Sequence, residues 1–405
     1  MMKAQPQLCA TNVTVGAGAT RTGSVKPTML VFGEDWHSLP SSSQHLTKAL
    51  MDEFSIIWVN SIGLRQPHLG DGKRLWHKLR QVTTKAQPSC QEEAAIPQQV
   101  IAPKLWPLPQ QAWLLQLNRA LLKRQLQGVA LDQIEYVWCA LPCAVEYLPL
   151  LPNAKVIYYC GDDFAALAGV DHHKVAPLER RLLQQADLVL CASTTLQQRC
   201  EVHAKVTPQL LPHGVDLSHF SQPQPKPAGL PDKPILGFYG SLAEWIDFSL
   251  LEQLAQRFSD CQILLIGHQG QCPRSLLDRA NVTLLPFMPH QQLAQYVQHF
   301  AVGLLPFKAN QQIAACDPLK LREYLAAGIP VVSRPFAALQ QYHVGVSQQR
   351  SVQAFADAIA AYLQQPPSAA AIQAQVQDAS WRQRAEQVLQ WLQIANNRQG
   401  FSSSN

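Results

Sequence analysis

The stretch "CDPLKLREYLAAGIPVVS", Cys316 to Ser333, sets an Asp-Pro pair, a lysine and a glutamate ahead of a small-residue run. Asp317 as N-cap and Pro318 as the first helical residue predict a helix start. Lys320 then falls in the first turn and Glu323 one turn on, sharing a face. First-turn amides with an ammonium group suit a diphosphate, and a carboxylate a turn deeper suits the hydroxyl pair of a ribose. The same spacing also fits an exposed ion pair worth about 0.3–0.5 kcal/mol. A second feature favours the phosphate reading: in "GFYGS", Gly237 and Gly240 end a strand where glycine lets backbone come close to a phosphate. The run is not G-x-G-x-x-G, so a nicotinamide cofactor is not indicated.

The elements that must position these groups are legible as alternating apolar runs and helix-compatible stretches. "TMLVFG", "FSIIWVN", "EYVWCA", "KVIYYC" and "LVLCAS" read as five strands, and "PILGFYGS", "CQILLIG", "VTLLPF", "FAVGLLPF" and "IPVVS" as five more. Continuous apolar strands between helices predict parallel sheets covered on both faces. The fold class is therefore α/β, with two doubly wound units. Residues 1–27 read as a mobile tail and 28–220 as the first unit. The proline-rich 221–234 reads as a linker, because five prolines there forbid a helix or a central strand. Residues 235–379 form the second unit. In 380–396, Trp381, Ala385, Val388, Leu389 and Leu392 make one helical stripe that needs a surface.

The 405 residues include 33 Lys or Arg and 28 Asp or Glu, a net +5 that is too small to point to nucleic acid. The excess is concentrated: residues 60–124 hold ten Lys or Arg against three acids. There "KRLWHKLRQ" and "KLWPLPQQAWLLQLNRALLKR" mix Trp and Leu with basic residues, as a face resting on anionic lipid does. A solvated basic helix with its leucines turned to the core fits the same pattern. The ten cysteines show no C-x-x-C pair and sit mostly in apolar runs, which predicts buried reduced thiols and a cytoplasmic protein. The N-terminus lacks a signal-peptide core, and no apolar run is long enough to span a membrane. No His/Cys/Asp set has metal spacing, so catalysis without a metal is expected.

"DPLKLREYLAAGIPVVS", "LPHGVDLSHF", "ADLVLCASTTLQQRC" and "SWRQRAEQVLQ" resemble the group 1 glycosyltransferases of GT-B fold. In that fold two Rossmann-like domains face each other across a cleft, and a last helix crosses back to the first domain. The resemblance spans about residues 28–393. It implies a nucleotide-diphosphate sugar, UDP-linked, on the C-terminal domain and an acceptor on the N-terminal domain. It also implies roles: Glu323 at the ribose, Lys320 at the diphosphate, Gly240 and Ser241 facing the phosphates, and Phe287 and Met288 where backbone reads the base. Asp216 and Phe220 match a stretch leading into the linker, with His213 in place of the commoner asparagine, and these three read as structural.

Many retaining members of that family carry a glutamate eight positions before the ribose glutamate, and that position here is Ala315. The chain looks more like the bacterial exopolysaccharide-assembly branch that includes the inverting xanthan-type glucuronosyltransferases. That branch implies a carbohydrate or polyprenyl-diphosphate-linked acceptor in envelope or exopolysaccharide synthesis, at the inner face of the plasma membrane. Inversion needs a base for the acceptor hydroxyl, a role for a carboxylate at a strand end of the first unit. "VIYYCGDDF" offers Asp162 and Asp163, which also resemble the branch's double aspartate; "LVFGEDWH" offers Glu34 and Asp35. One of the first pair could instead cap "FAALAG". His37, His45, His172 and His173 read as surface or core residues. A nucleotide-sugar epimerase of the same fold, or a scaffold that has lost catalysis, remains open on these residues.

Overall fold

The computed structural model describes residues 26–36, 40–64 and 95–402. The tail expected before Lys26, His37, and the core of the basic segment, residues 65–94, lie outside the described residues.

Two all-parallel sheets organise the chain. The first contains β1 (Thr28–Phe32), β2 (Ser55–Val59), β3 (Gln99–Ile101), β4 (Ile134–Cys139), β5 (Lys155–Cys160), β6 (Leu188–Cys191) and β7 (Gln209–Leu210), in the order β3-β2-β1-β4-β5-β6-β7. The second contains β8 (Ile235–Tyr239), β9 (Gln262–Ile266), β10 (Val282–Leu285), β11 (Val302–Leu305), β12 (Val331–Ser333) and β13 (Val346–Gln348), in the order β10-β9-β8-β11-β12-β13. Each order reverses beside its first strand, β1 against β4 and β8 against β11. Such reversals open a crevice at the carboxyl ends of the strands.

The ten apolar runs form strands because both faces of each sheet are covered, so side chains on both faces are buried along most of them, with Glu135 of β4 and Thr283 of the edge strand β10 exposed. In β1, Leu30 and Phe32 enter one core, while Met29 and Val31 enter the core on the other face. The strands β3, β7 and β13 carry no apolar run. They are two or three residues long, partly exposed, and pair at sheet edges where one neighbour suffices.

The last helix, Trp381–Ser402, crosses to the first unit, where Ala385, Val388 and Leu392 share a core with Met29, Leu46, Leu50 and Trp58. The two units also meet directly. Ser193 Oγ, which caps the helix Thr194–Glu201, donates to the Ala315 carbonyl at 2.8 Å, and Val215 N donates to the Ala379 carbonyl at 2.8 Å. Trp381 stacks on His45 at 5.1 Å between ring centres. Gly214 makes that seam possible, since a Cβ there would stand 2.7 Å from the Trp381 ring.

Candidate active site

One cavity of about 240 Å³ opens at the carboxyl end of β8 and gathers Gly240, Ser241, Phe287, Met288, Lys320 and Glu323. The same walls include Tyr239, His268, His290 and, from the first unit, Pro40. Each wall follows from strand-end placement. Gly240 and Ser241 follow β8, His268 follows β9, Phe287 and Met288 follow β10, and Lys320 and Glu323 lie on the helix Leu319–Ala326. Gly240 has φ +128°, a region that disfavours any side chain, and a Cβ there would touch Lys320 Nζ at 3.3 Å. Gly237 serves packing instead: a Cβ on it would stand 2.2 Å from the Phe300 ring, so its smallness admits that ring and not a phosphate.

Lys320 has no carboxylate partner among the described residues. Its ammonium lies 5.4 Å from the Phe238 ring and 5.6 Å from the Phe307 ring. Burial lowers its pKa, against the opposing pull of Cys316. A cation held against aromatic faces without an anion is poised for an anionic ligand. At the mouth Phe287, 43% exposed, stacks on His268 at 5.3 Å and 16°.

Glu323 does not pair with Lys320. It is buried, with Oε1 2.8 Å from His290 Nε2 and Oε2 accepting from the Tyr239 hydroxyl. Burial, with the Asp216 charge, pushes its carboxyl up to about 8, while burial and nearby cationic groups push His290 down to about 4. Both directions agree on an uncharged pair near neutral pH.

The expected cap at Asp317 is corrected by the structure. Pro318 occupies the cap position without a side-chain bond, and Leu319 is the first helical residue. Asp317 turns inward because Arg322 is buried beneath it and needs a counter-ion: Nη1 to Oδ1 is 2.7 Å. His213 completes the clamp, its N–H donating to Asp317 Oδ2 at 2.9 Å and its Nδ1 lying 2.6 Å from the Asp317 carbonyl. Burial opposes ionisation of Asp317, but Arg322 and His213 hold its carboxyl below the usual range. The start of the helix is thereby fixed to the segment that follows β7 of the first unit, a structural role for His213.

A second cavity lies at the carboxyl ends of β1, β4 and β5, lined by Glu34, Asp35, Ser42, Tyr159, Gly161 and Asp162 among others. Asp162 is open to it, yet the protein packed around the hollow withdraws solvent and, with Glu34 and Asp163, pushes its carboxyl up to about 6. Glu34 is likewise raised, by burial first; Ser41 Oγ donates to its Oε2 at 2.9 Å. The two cavities are neighbours: Pro40 lines the first, and Ser42 and Ser43, two and three residues on, line the second.

Asp163 lines a different hollow and is not brought to Asp162's side. Its Oδ2 is paired with Arg199, its Oδ1 accepts from Ala165 N at 3.0 Å, and its carbonyl accepts from Ala166 and Leu167. It is the capping member of the two aspartates. Asp216 caps the helix Leu217–Ser221, accepting from His219 N, and Phe220 is fully buried. His172 bonds the Phe164 carbonyl, and His173 lines a separate groove beside Glu146 and Lys174. Ala315 is buried at the seam, with no carboxylate in its place. The eight cysteines among the described residues are free thiols, seven of them buried. Among the described residues no group of three His, Cys, Asp or Glu could hold a metal ion, and no helix is long and apolar enough to cross a membrane.

His290, Tyr239 and His268 were not singled out by sequence reasoning, although each sits at or just past a strand end of the second unit. The rule that found Gly240 would have reached them had it been applied to every strand.

Residues 233–365 match the family model described as "Glycosyl transferases group 1". Over 223 residues, 48% of this chain, the sequence is 28% identical to a Bacillus subtilis (strain 168) protein named as a teichuronic acid biosynthesis glycosyltransferase, TuaH, whose own name marks the assignment as provisional. The match covers 55% of that protein, so the chain spans about half the length of the curated relative. Among solved structures, Anabaena HepE in complex with UDP and glucose superposes with TM-score 0.66 at 14% identity, covering 91% of this chain and 100% of HepE. Sucrose-phosphate synthase from Thermosynechococcus elongatus superposes with TM-score 0.59 at 17% identity, covering 94% and 100%. Over the described residues the chain thus has the two-domain GT-B fold, and residues 233–365 are the part that resembles the group 1 family.

Proposed function

We propose that this protein transfers a sugar, with inversion, from a UDP-linked sugar to a carbohydrate or lipid-linked acceptor in envelope or exopolysaccharide synthesis. One observation carries the reading: Gly240, Ser241, Phe287, Met288, Lys320 and Glu323, far apart in sequence, line a single cavity. The likeness of residues 233–365 to group 1 glycosyltransferases supports it. In this reading Lys320 and the first amides of the helix Leu319–Ala326 hold the diphosphate, Glu323 the ribose, and the Phe287–Met288 segment the base.

The acceptor enters the neighbouring cavity. Its hydroxyl oxygen attacks the anomeric carbon as the bond from that carbon to the diphosphate oxygen breaks. Asp162 takes the hydroxyl proton, and the nucleoside diphosphate leaves with its charge held by Lys320. Asp162 suits the part because its carboxyl lies close enough to neutrality to accept a proton and return it to water. No step needs a metal ion.

The acceptor's lipid would be met on the first unit. Trp113 (67% exposed) and Leu117 (46%) share a face of the helix Ala112–Gln125, with exposed Trp106, Lys104, Lys123 and Arg124 nearby. Exposed aromatics among basic groups fit the anionic inner surface of the plasma membrane.

Thermal unfolding with UDP-, GDP- and dTDP-sugars tests the donor. A true ligand at about 100 times its dissociation constant adds about 2.7 kcal/mol to stability. No stabilisation by any of the three would overturn the reading.

A further inference from the structure

Both oxygens of Glu323 are engaged by the protein itself, Oε2 by the Tyr239 hydroxyl and Oε1 by His290 Nε2 at 2.8 Å. A protonated carboxyl fits this arrangement: the Oε1 hydroxyl donates to an unprotonated imidazole nitrogen, and Oε2, as carbonyl oxygen, accepts from tyrosine. A ribose offers two hydroxyl donors, and donors favour the ionised carboxylate. On the reading of this cavity as a nucleotide-sugar site, we infer that His290 is a positioning residue that keeps Glu323 protonated. Ribose hydroxyls then displace its hydrogen bond and release the Glu323 proton to solvent.

The surroundings favour release to water and not to the ring. Burial first, then His219 of the helix Leu217–Ser221 and Lys48 of the helix Ser42–Leu50, hold His290 down at about 4, against the opposing pull of Asp216. Burial and Asp216 oppose ionisation of Glu323, and the Tyr324 phenol, raised by burial, is raised further by the Glu323 charge. Lys320 lines the same cavity. His290 also packs against His45 of the first unit at 5.3 Å, so its departure from Glu323 is felt at the seam between the units.

The sign follows from the free carboxyl's position near 8. A site that loses a proton on binding has an affinity that rises with pH until the free group is already ionised. Calorimetry with UDP-glucose, whose diphosphate does not titrate near neutrality, in two buffers of different ionisation enthalpy at pH 7 reads the proton directly. The expected result is about one proton released per site, with affinity rising up to about tenfold per pH unit below about 8 and level above it. Glu323→Gln, which cannot ionise, should bind UDP-glucose equally at pH 6 and pH 8. His290→Ala admits water to the carboxyl and should release less than half as much proton at pH 7. Binding by the wild type with no proton released overturns the inference and leaves the cavity's assignment intact. Failure of UDP-glucose to bind overturns the uridine reading itself.

Discussion

Arg322 reaches back to Asp317 across the start of the helix Leu319–Ala326, 2.7 Å from Nη1 to Oδ1, with each side chain 1% exposed. A guanidinium so enclosed tolerates no loss of its partner. Asp317→Asn should cost about 3–5 kcal/mol, the range for leaving a buried charge unpaired. Urea unfolding with an unchanged slope checks it, and a loss below about 1 kcal/mol would contradict the burial. Because Asp317 ionises below the usual range, its contribution is present at neutral pH and disappears as pH falls through its folded value.

Asp162 and Asp163 are adjacent in sequence and opposite in consequence. Asp162→Asn should lower turnover by about 10²–10⁴, the usual share of general-base catalysis, with donor affinity unchanged. Asp163→Asn should instead lower stability by about 1–3 kcal/mol through loss of the Arg199 ion pair, since asparagine keeps the oxygen that accepts from Ala165 N. Steady-state kinetics beside a denaturation curve separates the two. Full turnover in Asp162→Asn would move the base to Glu34.

The pH profile carries the same assignment. Asp162 acts as a base only when ionised, and its raised value of about 6 puts that transition inside the working range. At saturating donor, where Glu323 is already ionised, kcat/KM for the acceptor should fall about tenfold per unit below pH 6 and level off above it. A flat profile from pH 5 to 8 would argue against an aspartate in this cavity.

Gly240→Ala places a side chain at φ +128° and 3.3 Å from the Lys320 ammonium. The substitution should cost about 1–2 kcal/mol of stability from backbone strain and weaken nucleotide binding by crowding the lysine. A melting curve and a nucleotide titration of the variant check both effects, and wild-type values in both would mean that this turn faces no ligand.

Ten strands and the stripe of the last helix were legible because each is a local pattern, an apolar run or a 3.6-residue repeat; the return of that helix to the first unit came only with the family resemblance. The edge strands β3, β7 and β13 were not, because neighbouring strands supply their hydrogen bonds and Gln99, Gln209 and Gln348 announce nothing. Lys320 and Glu323 were found from spacing, but their separation into a free cation and a carboxyl held by His290 was not. His290 comes from another strand end, so no local spacing records the contact. Asp317 was misread for the same reason: a cap is a local preference, whereas the demand of a buried Arg322 is a tertiary one.

Calorimetric titration of UDP into the wild type and Lys320→Ala tests the central claim most directly. The account predicts a loss of about 1.5–3 kcal/mol, the range for a hydrogen bond to a charged group, or roughly 10- to 150-fold in affinity. Equal affinity in the two proteins would mean that the diphosphate does not rest at the start of the helix Leu319–Ala326.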